Sequence, residues 1–200
     1  MDKHDDFATL RMELDDAITY GTRRESLALA RKGAQLARLA RDEAELEYFR
    51  AQVDIIQKRF ASAIGHLDRA IRLNPSDGAA FNDRGLCMVE LGLIDEAMPF
   101  FDKGIEAEPD YATVYHNKGW LLNNIGRHTE AIECFRAALE LEPGRAVTYD
   151  NLADAQLNLG DRKGALESYR MVLSLLKPGE CRAIRKLILR QIEFLERSAG

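Results

Sequence analysis

Gly92, Gly126 and Gly160 recur every 34 residues, and Ala63, Ala97, Ala131 and Ala165 keep the same step. Pro75, Pro109 and Pro143 hold it too. Three residue types in phase at one period do not arise from a single closed core. The chain reads as a row of copies of one supersecondary unit, and this period predicts helix–turn–helix repeats. One such copy cannot bury its apolar face alone, so neighbours stack and present an extended surface rather than an enclosed catalytic pocket. The class of work expected is therefore the binding of another chain.

Residues 78–111 display the unit. Phe81-Asn82-Asp83-Arg84-Gly85 opens a helix that Gly92 ends as a left-handed cap. Asp95-Glu96-Ala97 begins a second helix carrying Phe101 and Gly104, and Pro109 stops it. Residues 112–145 repeat the scheme with Tyr115, Gly119, Gly126, Ala131, Phe135, Ala138 and Pro143. Residues 146–179 do so with Tyr149, Ala153, Gly160, Ala165, Tyr169 and Val172, with the proline one place late at Pro178. Small residues at Gly85, Gly119 and Ala153 predict close approach of the two helices in a pair. Phe101, Phe135 and Tyr169 are expected to fill the space between adjacent pairs.

The runs Asn117-Lys118-Gly119, Gly126-Arg127-His128-Thr129-Glu130-Ala131-Ile132 and Ala138-Leu139-Glu140-Leu141-Glu142-Pro143 resemble the tetratricopeptide repeat (TPR) family, strongly over 78–179. The resemblance implies an all-α fold, a right-handed α-solenoid. Upstream, 44–77 keeps Ala51, Ala63, Leu67, Ala70 and Pro75 and reads as a divergent repeat. Glu47, Asp54 and Lys58 depart from the pattern; Lys58 stands where the turn glycine belongs, which leaves the register of this unit open. Residues 1–43 read as a degenerate N-terminal helical hairpin, with Gly21 ending one helix and Thr22-x-x-Glu25 forming a capping box for the next. Residues 180–200 are expected to form a C-terminal capping helix with an apolar stripe of Ile184, Leu187, Ile188, Ile192 and Leu195. A dimer contact, or a segment folded back over the groove, stays open for that helix.

The same resemblance implies that the first helix of each pair lines a concave, ligand-binding face. Its outward positions are Asn82, Asp83, Leu86, Val89 and Glu90 in one unit. The next unit has His116, Asn117, Trp120, Asn123 and Asn124, and the third Asp150, Asn151, Asp154, Leu157 and Asn158. Asn117 and Asn151 stand one period apart, as do Asn124 and Asn158. Each amide offers donors and an acceptor, so such a ladder can hold the backbone of a guest peptide without reading its side chains. Trp120, the single tryptophan, belongs on this face by helical phase and reads as a binding anchor. Asp83, Glu90, Asp150 and Asp154 favour a neutral or basic partner segment, with His116 the one group there able to turn positive. Some TPR proteins clamp a terminal carboxylate with lysines and arginines. The corresponding positions here, Tyr48, Gln52, Asp83, Thr113 and Asn117, or one unit later Asn82, Leu86, Asn117, Val147 and Asn151, hold no cation.

Other functions find little support. The net charge of −5 hides a local +5 over residues 22–41 against −10 elsewhere, and the acidic remainder opposes nucleic-acid binding. No apolar run nears the ~20 residues that a membrane-spanning helix needs. The opening Met-Asp-Lys-His-Asp-Asp lacks the apolar core of a secretory signal, which makes the cytoplasm the expected location. Cys87, Cys134 and Cys181 form no Cys-x-x-Cys pair and read as reduced thiols. No His-Glu-x-x-His, phosphate-binding loop or nucleophile elbow is present, so neither catalysis nor a metal or other cofactor is expected. The leading expectation is a non-catalytic scaffold or adaptor that binds an extended or helical partner segment. A self-associating structural or assembly protein, using the C-terminal helix, is the alternative.

Overall fold

A computed structural model describes residues 3–176 and 181–197. These hold eleven helices and no strand. The chain divides into two compact units, Met1–Pro109 and Asp110–Gly200. The first contains α1 (Lys3–Tyr20), α2 (Arg23–Ala40), α3 (Glu43–Ile56), α4 (Phe60–Leu73), α5 (Gly78–Glu90) and α6 (Ile94–Ala107). The second contains α7 (Ala112–Asn124), α8 (His128–Leu141), α9 (Ala146–Asn158), α10 (Arg162–Leu175) and α11 (Arg182–Arg197). Pro178 and Gly179, expected to end the last repeat, lie outside the described residues.

The turn inside each regular pair is set by a left-handed residue. Gly92, Gly126 and Gly160 have φ of 78°, 83° and 85°. Lys58, 34 residues before Gly92, takes φ 61° and makes the same turn between α3 and α4. That closes the question of register: the divergent unit keeps the phase of its neighbours and accepts backbone strain of about 1 kcal/mol at a lysine.

Close packing within a pair explains the small residues. A Cβ at Gly85 would come within 3.0 Å of the Phe101 ring, and one at Gly119 within 2.9 Å of Phe135. Both rings are fully buried. The sequence seats these aromatics between adjacent pairs; each in fact lies against the small residue of its own pair, and Tyr169 shares a buried cluster with Ala153.

Where the divergent repeat departs from the pattern, a polar cluster replaces apolar packing. Glu47 on α3 is buried and accepts hydrogen bonds from Arg69 Nε (2.6 Å) and Arg50 Nη1 (2.5 Å), with His66 Nδ1 2.7 Å away. Burial pulls its pKa up, but the bonds to His66, Arg69 and Arg50 outweigh it and hold the carboxyl down at about 2. Asp54, also buried, pairs with Arg59.

The ends of the chain behave differently from the middle. At the start of α2, Thr22 and Glu25 form the expected capping box. At the C-terminal end, Ile188, Ile192 and Leu195 of α11 join Tyr169 and Val172 in one core cluster. Each such side chain contributes roughly 1.5–3 kcal/mol through burial. The apolar stripe foreseen on this helix is only partly used, because Ile184 and Leu187 are exposed. The docked face lies toward Ile188, Ile192 and Leu195; Leu187 falls on its flank, and Ile184, on the same face, stands in the first turn of the helix.

Candidate functional site

In the second unit the site is carried by α7 and α9, the first helices of their pairs. Asn117, Trp120 and Asn124 recur at steps of three and four and so share one face of α7; Asn151, Asp154 and Asn158 do the same on α9. Trp120 is 37% exposed, Asn124, Asp154 and Asn158 are exposed, and Asn117, Asn123, Asp150 and Asn151 are half-buried. The two helices are tied by side-chain amides. Asn158 Nδ2 donates to Asn123 Oδ1 at 3.2 Å, and that oxygen lies 2.7 Å from His128 Nδ1. Asp154 accepts from the Tyr169 hydroxyl at 2.8 Å, which fixes its carboxylate at the edge of the face. Burial, helped by the charge of Asp154, raises the pKa of Asp150.

His116 differs from expectation. Its helical phase predicts a place on the open face as a group able to turn positive; it is instead buried at 7% exposure. Its Nδ1 lies 2.9 Å from Thr148 Oγ1 and its Nε2 3.4 Å from Asn151 Nδ2. The amide can only donate to Nε2, so the ring is neutral with its proton on Nδ1, donated to Thr148. Burial, reinforced by the Arg145 charge, pushes its pKa down to about 4. His116 therefore lies beneath the face and orients Asn151.

In the first unit the equivalent face is built by α3 and α5, and here α1 lies over it. Phe7 packs on Phe49 with ring centroids 6.2 Å apart, and Leu10 and Leu14 are buried beside it. The Arg11 guanidinium sits 3.6 Å above the Tyr48 ring and makes ion pairs with Glu45 at 2.9 Å and Asp77 at 2.7 Å. One arginine thus joins α1 to the starts of two successive first helices. Tyr48 and Phe49, one period before Asn82 and Asp83, are buried.

Asn82 is likewise a correction. The repeat phase assigns it to the open face, but it is 1% exposed and donates to Asp83 Oδ1 at 3.0 Å. Asp83 is half-buried and also accepts from Gln52 Nε2. Burial pushes its pKa up to about 7, and the nearby charge of Asp15 on α1 adds to the rise. Leu86 is half-buried and Glu90 exposed.

Sequence reasoning missed Arg11, whose partners lie 34 and 66 residues away. It also reads the phase shared by Asn82, His116 and Asp150 as outward, whereas Asn82 and His116 are buried and Asp150 is half-buried. The aromatic Tyr48, one period before Asn82, is the available signal that this phase is not simply open. Among the described residues no group of three or more His, Cys, Asp and Glu is placed to hold a metal. No described helix is long and apolar enough to cross a membrane.

Tetratricopeptide repeat profiles match residues 50–112 and 110–177. The chain belongs to the tetratricopeptide repeat family. No curated protein sequence matches it. Among solved structures, a thermophilic TPR protein of Thermus thermophilus (TTC0263) aligns with a TM-score of 0.73 at 16% identity, covering 93% of this chain and 98% of that one. MamA from Desulfovibrio magneticus RS-1 aligns at 0.59 and 20%, covering 88% and 96%. YrrB, described as a TPR protein with an unusual peptide-binding site, aligns at 0.60 and 22%, covering 88% and 87%. At these identities the likeness establishes the fold alone; it is membership of the repeat family that suggests a scaffold for protein–protein interaction.

Proposed function

We propose that this TPR protein is a non-catalytic adaptor whose α7–α9 face holds an extended or helical segment of a partner protein. The observation that carries the reading is Trp120, an exposed indole set among amides on a surface made of helices. An anchor of this type gains from burying a large, stiff ring at small entropic cost. Asn117, Asn124 and Asn158 would pair with guest backbone. Asn151, with one N–H given to His116, still offers its carbonyl oxygen and second N–H. Asp150 and Asp154 would draw a neutral or basic segment. The described likeness to YrrB supports peptide binding as a use to which this fold is put.

Asn82 and Asp83 in the first unit have no part in this mechanism, because both are engaged inside the protein. A cytoplasmic setting fits the reading and is tested by localising the tagged protein.

Since Trp120 is the chain's one tryptophan, its emission reports directly on the face. Peptides selected from a random library on the wild type should shift that emission to the blue. The Trp120→Ala, Asn117→Ala, Asn151→Ala variant, still folded by circular dichroism, should bind them at least about tenfold more weakly in a label-free assay. Unchanged affinity would remove the face from consideration.

A further inference from the structure

The exposed side of α2 carries one sign of charge. Arg24, Arg31 and Arg38 recur every seven residues, Lys32 and Arg41 flank them, and all five are exposed. Among the described residues none of these five side chains has a hydrogen-bond or ion-pair partner. The helix's one acid, Glu25, is committed to the capping box. An ordinary solvated helix mixes its charges so that pairs three and four apart relieve one another. α8 does this with Glu130, Glu133, Arg136 and Glu140, and α10 with Arg162, Lys163, Glu167 and Arg170. α2 does not.

At its N-terminal end the stripe opens into a shallow cleft, wide open to solvent, of roughly 620 Å³, lined by Arg23, Arg24, Leu27, Gln57 and Arg59. Two of the three guanidiniums are held in place. Arg23 Nε donates to the Ile56 carbonyl at 3.1 Å, and Arg59 pairs with the buried Asp54. Arg24, without a partner of its own, faces the same space. Side chains fixed in this way give up little further freedom when an anion arrives.

We propose that the outer face of α2 and its arginine-lined cleft bind an acidic polypeptide segment of a partner protein. A carboxylate enters the cleft beside Arg24, and further Asp or Glu side chains meet Arg31 and Arg38. The stripe spans about 21 Å, the length of a four-turn helix whose acids repeat at the same step of seven. Charge complementarity selects the sign of the partner, and three features select its class. A nucleic-acid backbone is a uniform polyanion that would overrun so short a stripe on a chain whose other residues sum to −10. Leu39, 74% exposed, falls between Lys32 and the arginine row by helical phase, where an amphipathic polypeptide has apolar groups to cover it and a phosphate backbone has none. No three acids of this chain stand at successive steps of seven, so a second copy has no row to match Arg24, Arg31 and Arg38. This surface is separate from the α7–α9 face and takes a guest of opposite charge.

The test uses fluorescence anisotropy with the full chain and three labelled probes. One is an acidic peptide of about 20 residues with Glu at every seventh position and Leu between; the second is its Gln counterpart; the third is a single-stranded oligouridine of about 20 nucleotides. The acidic peptide should bind, the Gln peptide should not, and binding should weaken several-fold from about 50 to about 300 mM salt. The Arg24→Ala, Arg31→Ala, Arg38→Ala variant alters only exposed side chains and should melt as the wild type does, yet lose about tenfold in affinity. Trp120→Ala should bind the acidic peptide as the wild type does, which separates this result from the fate of the groove reading. The proposal falls if the acidic peptide fails to bind, or if the triple variant binds it unchanged. It falls equally if oligouridine binds more tightly and depends on the same arginines, or if light scattering shows that the stripe pairs copies of the chain.

Discussion

The two units use the same pair of helices to build opposite kinds of inner face. In the first, α1 lies across α3, Arg11 clamps the starts of α3 and α5, and Asn82 and Asp83 are bound up inside. In the second, α7 and α9 leave Trp120, Asn124, Asp154 and Asn158 in contact with water. The turns keep one phase in both, even where Lys58 stands in place of a glycine. What differs is whether the chain itself supplies a helix to cover the face, so a shared repeat fixes the scaffold and a non-repeated segment decides where it is open.

The largest test of that contrast is to release the cover. Arg11→Ala leaves Asp77 and Glu45 without their cation in a largely buried setting. It should destabilise the docking of α1 by about 3 kcal/mol. Hydrogen exchange should then quicken in α1 and along α3 while α7 and α9 stay as protected as before. Protection unchanged in α1 would mean that Phe7, Leu10 and Leu14 hold it without the ion pairs.

The second test is pH, because the two faces store protons in opposite senses. Asp83 has a folded pKa of about 7, above its unfolded value. Its contribution to the first unit is therefore fully present below about pH 4 and is lost as pH rises through about 7. His116 has a folded pKa of about 4, below its unfolded value. Its contribution to the second unit is present above about pH 6.5 and is lost as pH falls through about 4. Hydrogen exchange between pH 4.5 and 8, corrected for intrinsic rates, should show α5 loosening on the alkaline side and α7 on the acid side (both limits being about those of the two titrations). Asp83→Asn should strengthen the first unit by on the order of 2 kcal/mol at about pH 8 and remove its slope. Slopes of one sign in both units would break the comparison.

The smallest test concerns the turns. Lys58→Gly relieves a left-handed lysine and should stabilise the first unit by up to about 1 kcal/mol, whereas Gly126→Ala should cost the second about as much. Thermal melts of the two variants check both signs.

These outcomes mark how far the sequence could be read. The 34-residue step located every first and second helix from α5 to α10, and even Lys58 keeps its phase. Thr22 and Glu25 declared their capping box because all its partners lie within one turn. The inner face was harder, since helical phase says which way a side chain points but not what another element lays on top of it. His116 is buried where α7 meets α9 through Thr148 and Asn151, Asn82 is engaged with Asp83, and Tyr48 lies under Arg11 of α1. Arg11 pairs with residues 34 and 66 positions on, a choice that no local pattern encodes. Ile184 and Leu187 fail for a related reason: the stripe on α11 is both longer and wider than the core it covers.

The bond from Asn158 to Asn123 has a consequence for how such a protein could change. One amide reaches Asn123, the neighbour of the residue one period earlier, so the joint between adjacent pairs is made of the same residue type as the ligand-facing row. Tandem duplication of one such module would reproduce both the joint and the row at a stroke. The molecule could thereby grow longer in its grasp while keeping its selectivity, with extension open to a simple genetic copying error rather than to redesign.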